Sequence, residues 1–253
     1  MDIGPIVQTH NAPMDDRFTV EVISQTPNPQ QVAYAAMHQD YAEQLVWTKR
    51  DSWPGEEKCG ELIVKNLLQG NRGHYGPLEH PQIVLNFGYF PHSTMQQMRT
   101  HRNVSFDVQS FRYTGKRILD VVAGTQELED VFYLRPVGSY SDRQGKKYDY
   151  TAEQRQQDLD WCHQGCQRYA ERIEQGLAEE HARGLIPFDV RQHWVMSANT
   201  RSLMHLLDIR GKYDVQLETR VMTELMLECF KAWMPTLAEW YEKTRWRKGP
   251  LAP

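Results

Sequence analysis

Three arginines lie in one short polar segment in the first half of the chain. Arg99, Arg102 and Arg112 are accompanied by carboxamide and hydroxyl side chains, which are Gln97, Ser105, Gln109 and Ser110. A guanidinium presents paired donors that fit phosphate oxygens, and hydroxyls with main-chain N–H groups at a turn complete such an anion site. The segment therefore indicates a binding site for a small phosphate-bearing ligand. A polar surface loop is the alternative that the same residues allow.

A second group of chemically competent side chains lies in a loop that contains glycine and proline. His74, Glu79 and His80 fall within seven residues. His and Glu are zinc ligands, but a further ligand would have to come from elsewhere, and the His-Glu-x-x-His pattern is not present. We therefore interpret these residues as hydrogen-bonding groups for a ligand or as structural histidines, and we predict no metal site.

A third group lies on a predicted helix in the second half of the chain. Asn199 or Thr200 can cap its N-terminus, and Arg201 and His205 are four residues apart, so they share one face. The apolar side chains on another face are Leu203, Leu206 and Leu207. The helix thus combines a polar face with a packed one. An exposed helix carrying ordinary charges is the alternative.

In this order, the three groups resemble the flavin-dependent thymidylate synthases. The family signature is Arg-His-Arg, seven residues, then Ser, and this chain has Thr100-His101-Arg102, seven residues, then Ser110, followed by Arg112-Tyr113. Residues 74–80 are similar to the family's His-x-x-x-x-Glu-His element, and residues 199–210 to its Asn-x-Arg-Ser-Leu…Arg element. Arg183, which precedes Leu185-Ile186-Pro187, matches a further family arginine. The resemblance covers about residues 32–218, most of the chain.

The resemblance implies a set of ligand contacts and a homotetramer with active sites shared between subunits. The FAD contacts that it implies are His74, Glu79, Thr100, His101, Arg102, Val108, Asn199, Arg201 and His205. The implied dUMP contacts are Gln97, Arg99, Thr100, Val108, Gln109, Ser110, Arg112, Arg183 and Arg210. Arg210 occupies the position of the arginine that polarises the uracil ring and is the catalytic candidate.

Two positions depart from the family pattern. Thr100 stands where the signature has its first arginine, and Arg99 lies directly beside it. Val108 stands where the family often has Glu, a change that a main-chain contact to a ligand would survive. We expect the ligand contacts at these two positions to differ most from those of the family.

The implied reaction is the reductive methylation of dUMP to dTMP. Methylenetetrahydrofolate provides the carbon, and NADPH reduces the bound FAD, which provides the hydride. The unrelated class of thymidylate synthase uses a cysteine in a Pro-Cys-His sequence, and this chain has Trp161-Cys162-His163. We reject Cys162 as a nucleophile, because it lies on the apolar stripe of a predicted helix, where burial raises a thiol pKa and limits access.

Three other functions fit parts of the sequence. The absent first arginine of the signature allows a non-catalytic flavin- or nucleotide-binding protein on the same scaffold. The arginine-rich segment and the many aromatic residues allow an RNA-binding module, although the net charge of −4 argues against polynucleotide binding. His74 and His80 allow a metal hydrolase. We expect neither nucleic acid nor a membrane as a partner.

Composition points to a globular protein of the cytoplasm. The chain has 253 residues with 40% hydrophobic and 25% charged side chains, and we predict one domain over residues 1–253. Its four cysteines form no Cys-x-x-Cys pair, which fits buried thiols in a reducing compartment. Residues 1–17 lack the features of a signal peptide, and no apolar run approaches the roughly 20 residues of a membrane span.

The elements that must position these groups form an α+β pattern. We predict strands over residues 18–23, 83–89 and 131–140, an irregular stretch over 105–113 and a turn over 142–145. Predicted helices cover about residues 29–45, 54–68, 92–102, 151–177, 202–208 and 215–243. Thr151 and Gln154 match a capping box, and Pro235 should kink or divide the last helix. The fold expected is helices packed around a small, mostly antiparallel sheet, with long helices in the C-terminal half.

Overall fold

The computed structural model describes residues 15–248 and contains a four-stranded antiparallel sheet beside a two-stranded hairpin. The strands are β1 (Thr19–Gln25), β2 (Gln82–Pro91), β3 (Ser105–Val108), β4 (Gly138–Ser141), β5 (Lys147–Tyr150) and β6 (Arg191–Asn199). The larger sheet has the order β1-β2-β6-β3, and β4 pairs with β5. The predicted α+β class is confirmed.

Helices surround the larger sheet. They are α1 (Pro29–Gln39), α2 (Glu56–Ile63), α3 (His92–Met98), α4 (Phe111–Thr114), α5 (Lys116–Val122), α6 (Leu128–Val131), α7 (Ala152–Glu174), α8 (Glu179–Ala182), α9 (Thr200–Arg210), α10 (Leu217–Trp233) and α11 (Pro235–Thr244). Single turns of 3₁₀ helix occur at Val46–Ser52, Gln69–Asn71, Gly76–Glu79 and Arg183–Leu185, and α2 continues into a π-helical turn at Val64–Leu68.

The main core lies between the sheet and the C-terminal helices. The rings of Phe87 and Trp194, on the neighbouring strands β2 and β6, stack with their centroids 4.9 Å apart. Met222 and Phe230 of α10 are fully buried in the same cluster. Aromatic side chains bury large apolar areas and stabilise such a core strongly. The core therefore holds β6 rigidly, and this strand leads directly into α9, which carries Arg210.

A smaller core packs α5 against α7. Cys162, Cys166 and Tyr169 lie on the buried stripe of α7, as the sequence periodicity predicted. Gly165 lies on the same face, where a Cβ atom would stand 2.5 Å from Cδ of Pro187. This close approach brings the segment after Arg183 against α7.

Local helix signals were confirmed. Thr151 and Gln154 form the predicted capping box, and the side chain of Asn199 accepts the Ser202 N–H at 2.8 Å, so Asn199 is the cap of α9. Pro235 divides the predicted last helix into α10 and α11. The turn at residues 142–145 is also present, with Gly145 at φ 84°.

Several predicted boundaries were wrong. Residues 105–113 are irregular only at Gln109 and Ser110, because Ser105–Val108 pairs with β6 and Phe111–Thr114 is helical. The predicted strand over 131–140 is confined to Gly138–Ser141 and an isolated bridge at Phe132, since α6 occupies its start. The helices predicted to reach residues 45 and 102 end at Gln39 and Met98. The missed pairing of β3 with β6 depends on residues distant in sequence.

Of the helices within residues 15–248, none is long and apolar enough to cross a membrane. The predicted absence of a signal peptide concerns residues that lie, apart from the last three, outside the described part of the chain.

Candidate active site

A cleft of about 560 Å³ opens beside the end of β3. The predicted substrate-binding residues that line it are Arg99, Val108, Gln109, Ser110 and Arg183. Arg183 comes from the 3₁₀ turn after α8, and the close packing of α7 on Pro187 holds the segment that follows this turn. The cleft thus combines two guanidinium groups and a hydroxyl, which suits a phosphate-bearing ligand.

The other walls of the cleft combine apolar side chains, the polar His92 and Asp107, and two unsatisfied acceptors. Phe106, Phe111, Ile186 and Phe188 line it. Oε1 of Gln109 and Oε1 of Gln192 are buried and have no hydrogen-bond partner among the described residues. Buried polar atoms normally find a partner. These oxygens therefore provide acceptors that a ligand N–H group could satisfy.

Gln192 was missed by the sequence analysis. It lies on β6 and is only 1% exposed, although it lines the cleft. In the sequence, Gln192 is a polar residue within a strand-like stretch. That pattern does not reveal which face of the sheet its side chain occupies.

Arg210 is held in a separate polar cluster at the end of α3. Its Nε donates to Nε2 of His101 at 2.9 Å. Its Nη2 donates to the main-chain oxygen of Gln97 at 2.8 Å and to Oγ1 of Thr100 at 2.7 Å. Within residues 15–248, no acceptor engages Nη1 of Arg210. The guanidinium is thus fixed along one edge, and its other edge is available for a ligand.

Thr100 makes two hydrogen bonds at the end of α3. Its hydroxyl accepts from Arg210 and donates to the Gln97 oxygen at 2.8 Å. An arginine at this position has no acceptor atom and would repel Arg210. Arg99, the preceding residue, lines the cleft. The end of α3 therefore joins the two parts of the site.

His101 is neutral at physiological pH. It is 8% exposed, and burial, followed by the electrostatic influence of the neighbouring Arg210 and His205, lowers its pKa to about 4. Because Nε2 accepts from Arg210, the single proton of the neutral ring lies on Nδ1.

This depressed pKa predicts a pH-dependent loss of stability. The ordinary pKa of His is 6.5, so between about pH 6.5 and pH 4 the unfolded chain binds more protons at this residue than the folded chain. The stabilisation is fully present above pH 6.5 and is lost as the pH falls towards 4. We expect the Tm of the wild type to fall more steeply across this window than that of His101→Gln, which retains an acceptor. Parallel curves in thermal unfolding would contradict the assignment.

A third group surrounds the start of α9. Nη1 of Arg201 pairs with Oε1 of Glu79 at 2.5 Å, and Cζ of the same guanidinium lies 5.9 Å from the ring centroid of Tyr75. The rings of His205 and His101 are edge-to-face, with centroids 6.3 Å apart. Arg201 and His205 thus share the predicted polar face, and the buried Leu203, Leu206 and Leu207 take the other. His101 connects this group to Arg210.

The remaining predicted residues lie apart from these contacts. Arg112 is exposed, stands over the ring of Tyr113 and does not line the cleft. Arg102 is also exposed. Nε2 of His74 lies 3.5 Å from a carboxylate oxygen of Asp40. Gln97 does not line the cleft, because its carboxamide contacts Gln216 and Thr219. A single chain therefore brings only some of the predicted site residues together.

Two alternative chemistries find little support in the geometry. Burial raises the pKa of the Cys162 thiol to about 11, so the thiolate required of a nucleophile is scarce at neutral pH. Among residues 15–248, no group of three or more His, Cys, Asp or Glu side chains is arranged to hold a metal ion.

Comparison with known proteins gives consistent results. Residues 21–236 match the family model described as thymidylate synthase complementing protein. The flavin-dependent thymidylate synthase of Haloarcula marismortui is 33% identical over 250 residues, covering 92% of this chain and 99% of its own length. That of Halobacterium salinarum is 30% identical with the same coverage.

Two solved structures share the fold. The UMP/dUMP methylase PolB from Streptomyces cacaoi, bound with 5-Br dUMP, has a TM-score of 0.72 at 21% identity and covers 92% of this chain and 97% of its own. Thymidylate synthase X from Helicobacter pylori, with FAD and dUMP, has a TM-score of 0.66 at 18% identity and covers 90% of this chain and 100% of its own.

Proposed function

The chain belongs to the flavin-dependent thymidylate synthase family, and from this premise we propose how its residues perform the reductive methylation of dUMP to dTMP. One observation carries the proposal. The end of α3 presents Arg99 to the cleft, while its neighbours Gln97 and Thr100 hold Arg210. A cleft suited to a phosphate is thereby coupled to a half-buried, oriented guanidinium.

We propose that the cleft binds dUMP. Arg99, Ser110 and Arg183 provide donors for its phosphate. The unpartnered oxygens of Gln109 and Gln192 are acceptors of the kind that the imide N–H of a pyrimidine would satisfy. Apolar side chains such as Phe111 provide surface for a base or sugar.

The donor set around α9 fits FAD. Arg201 and His205 lie on one helix face, His101 contacts His205, and Arg102 offers an exposed guanidinium, so the group can face an anionic pyrophosphate. The full set that we propose for FAD is His74, Glu79, Thr100, His101, Arg102, Val108, Asn199, Arg201 and His205. When bound, FAD supplies the hydride. The capping bond of Asn199 uses its side-chain oxygen, which leaves its NH₂ group for a ligand.

Arg210 stabilises negative charge that develops on the uracil ring. Two of its nitrogens are held by His101, Thr100 and Gln97, so Nη1 is oriented before the substrate arrives. Burial of a preorganised donor strengthens such stabilisation. The neutral ring of His101 can accept from Arg210 without competing as a second cation. No protein nucleophile is required by this arrangement.

The substrates and the activity have a direct test. We propose that NADPH reduces the flavin and that methylenetetrahydrofolate donates the carbon. The purified protein should be yellow and should oxidise NADPH in a dUMP-dependent manner, with formation of dTMP. A non-catalytic nucleotide-binding protein on this scaffold would bind dUMP without oxidising NADPH, and that outcome would replace the enzyme assignment.

We propose a homotetramer whose active sites take residues from more than one subunit. The support is that Arg112 and Arg102 are exposed away from the cleft within one chain. Light scattering gives the mass. Mixing the Arg210→Ala and Arg112→Ala proteins under subunit exchange should give more activity than either protein alone, because some shared sites would then have both arginines intact. Absence of recovery would indicate sites confined to single subunits.

Compartment and domain organisation are proposed with the same function. The four free cysteines, Cys59, Cys162, Cys166 and Cys229, fit a reducing cytoplasm. We further propose that the chain folds as one domain over residues 1–253. A single calorimetric transition whose midpoint rises with FAD would support this organisation.

Ser110→Ala should weaken dUMP binding while the flavin is retained. A hydrogen bond to a charged group contributes about 1.5–3 kcal/mol, so we expect the Kd of dUMP to rise about 10-fold. Titration calorimetry measures this change. Ser105→Ala is the matched control, since Ser105 is exposed on β3 and does not line the cleft. An unchanged Kd in Ser110→Ala would remove this hydroxyl from the dUMP site.

A further inference from the structure

A buried carboxylate lies in the first turn of α10, outside the predicted site. Glu218 is 1% exposed and accepts four hydrogen bonds. The donors are Tyr133 Oη at 3.0 Å, Arg135 Nε at 2.7 Å, Arg135 Nη2 at 3.1 Å and Gln216 Nε2 at 2.8 Å. A buried charge is costly unless it is paired and fully hydrogen-bonded. These four hydrogen bonds hold the carboxylate of Glu218 in a fixed position.

Glu218 is ionised in the folded protein. Burial by itself favours the neutral acid, but the bidentate Arg135 and the other donors hold the pKa of the carboxyl below its ordinary value. The ionised carboxylate is acceptor-only. Every polar group that faces it must therefore present a donor.

The carboxylate dictates the orientation of two carboxamides in succession. Gln216 must turn its NH₂ group towards Glu218, where Nε2 also donates to Ser93 Oγ at 3.1 Å, so its oxygen faces Gln97. Gln97 must then donate through Nε2 to that oxygen, and its own oxygen accepts from Thr219 at 3.4 Å. The two possible orientations of a carboxamide are otherwise close in shape.

This chain of contacts ends at the catalytic candidate. The main-chain oxygen of Gln97 accepts from Nη2 of Arg210 at 2.8 Å. Ser93 and Gln97 lie at opposite ends of α3, so Gln216 ties both ends of this short helix to α10. The position of Arg210 thus depends on how α3 is held.

We propose that Gln216 and Glu218 are positioning residues that orient Gln97 and, through it, fix the guanidinium of Arg210. Arg135 is the counter-charge that keeps Glu218 acceptor-only. The inference rests on the proposed function, because it requires that Arg210 act on the uracil ring. None of these side chains lines the cleft. Precise placement of a site by supporting residues is what permits electrostatic preorganisation.

Gln216→Met tests this series of hydrogen bonds with little change in side-chain volume. Removing the three hydrogen bonds of this carboxamide frees Gln97, and we expect kcat to fall about 10-fold with a smaller change in the KM of dUMP, as when residues that support a site are removed. Gln97→Met should cause a similar loss. If Gln216 acts through Gln97, the double variant should be no worse than either single variant.

Glu218→Gln is an independent variant in case the methionine substitution prevents folding. A neutral amide can donate to Gln216, so both carboxamides lose their enforced orientation, and kcat should again fall about 10-fold. Gln30→Met is the matched control. Gln30 is equally buried, but it contacts Glu56 and Leu237 rather than α3. We expect this control to lower Tm without changing kcat.

A readout besides activity separates this inference from the proposed function. NMR titration of labelled histidines should show the pKa of His101 rising from about 4 in Gln216→Met, because Arg210 is displaced from the ring. If the wild type does not turn over, the proposed function fails, and this titration still decides the positioning role. Additive losses in the double variant, kcat within 2-fold of wild type, or an unshifted His101 would each overturn the proposal.

Discussion

Arg210→Ala should reduce kcat by about 100-fold or more while dUMP and FAD still bind. Removal of one preorganised electrostatic donor costs this much in enzymes that stabilise an oxyanion. The physical reason here is the free edge of the guanidinium, since Nε and Nη2 are held by His101, Thr100 and Gln97 and Nη1 faces no protein acceptor within residues 15–248. Steady-state dUMP-dependent NADPH oxidation measures the loss.

The controls for Arg210 separate charge from geometry. Arg210→Lys keeps the charge but cannot make three parallel contacts, so we expect it to recover little activity. Arg168→Ala, which removes an exposed arginine on α7, should retain wild-type kcat. A kcat of Arg210→Ala near that of Arg168→Ala, with dUMP bound normally, would assign Arg210 another role.

Arg183→Ala should raise the Kd of dUMP by about 100-fold. Charge-assisted, bidentate contacts to phosphate are the strongest of the expected interactions, and the upper end of their contribution, about 3 kcal/mol, corresponds to this factor. Arg183 lines the cleft with Arg99 and Ser110. The segment that follows Arg183 packs closely on Gly165 of α7. Calorimetry with dUMP measures the effect.

A ligand that lacks the phosphate checks this assignment. With deoxyuridine, which has no phosphate, the wild type and Arg183→Ala should bind almost equally, because the lost partner is the phosphate. Arg172→Ala on the surface of α7 is the matched arginine control and should bind dUMP as the wild type does. Equal weakening for nucleotide and nucleoside would place Arg183 against the base or sugar instead.

Thr100 illustrates how a departure from a family pattern can be compatible with its chemistry. In the structure its hydroxyl accepts from Arg210, a role that only an acceptor-bearing side chain can take. Arg99 supplies a guanidinium to the cleft from the adjacent position. Arg99 places a cation at the end of α3, and Thr100 adds a fixed contact for Arg210.

The sequence by itself determined the chemical groups and the local helix signals. The capping box at Thr151, a cap at Asn199 or Thr200 and the break at Pro235 were predicted, and the structure has the capping box, the cap at Asn199 and the break. These features depend on residues a few positions apart, whose geometry is set by backbone preferences and short-range hydrogen bonds.

Tertiary structure alone decided which groups meet and which are consumed within the fold. Ser105–Val108 became a strand because β6 offered a free edge, which is remote in sequence. Gln192 lines the cleft because of its face on the sheet, and Gln97 turns to Gln216 because Glu218 is buried and ionised. Burial and long-range pairing depend on partners far along the chain, so local pattern carries little information about them.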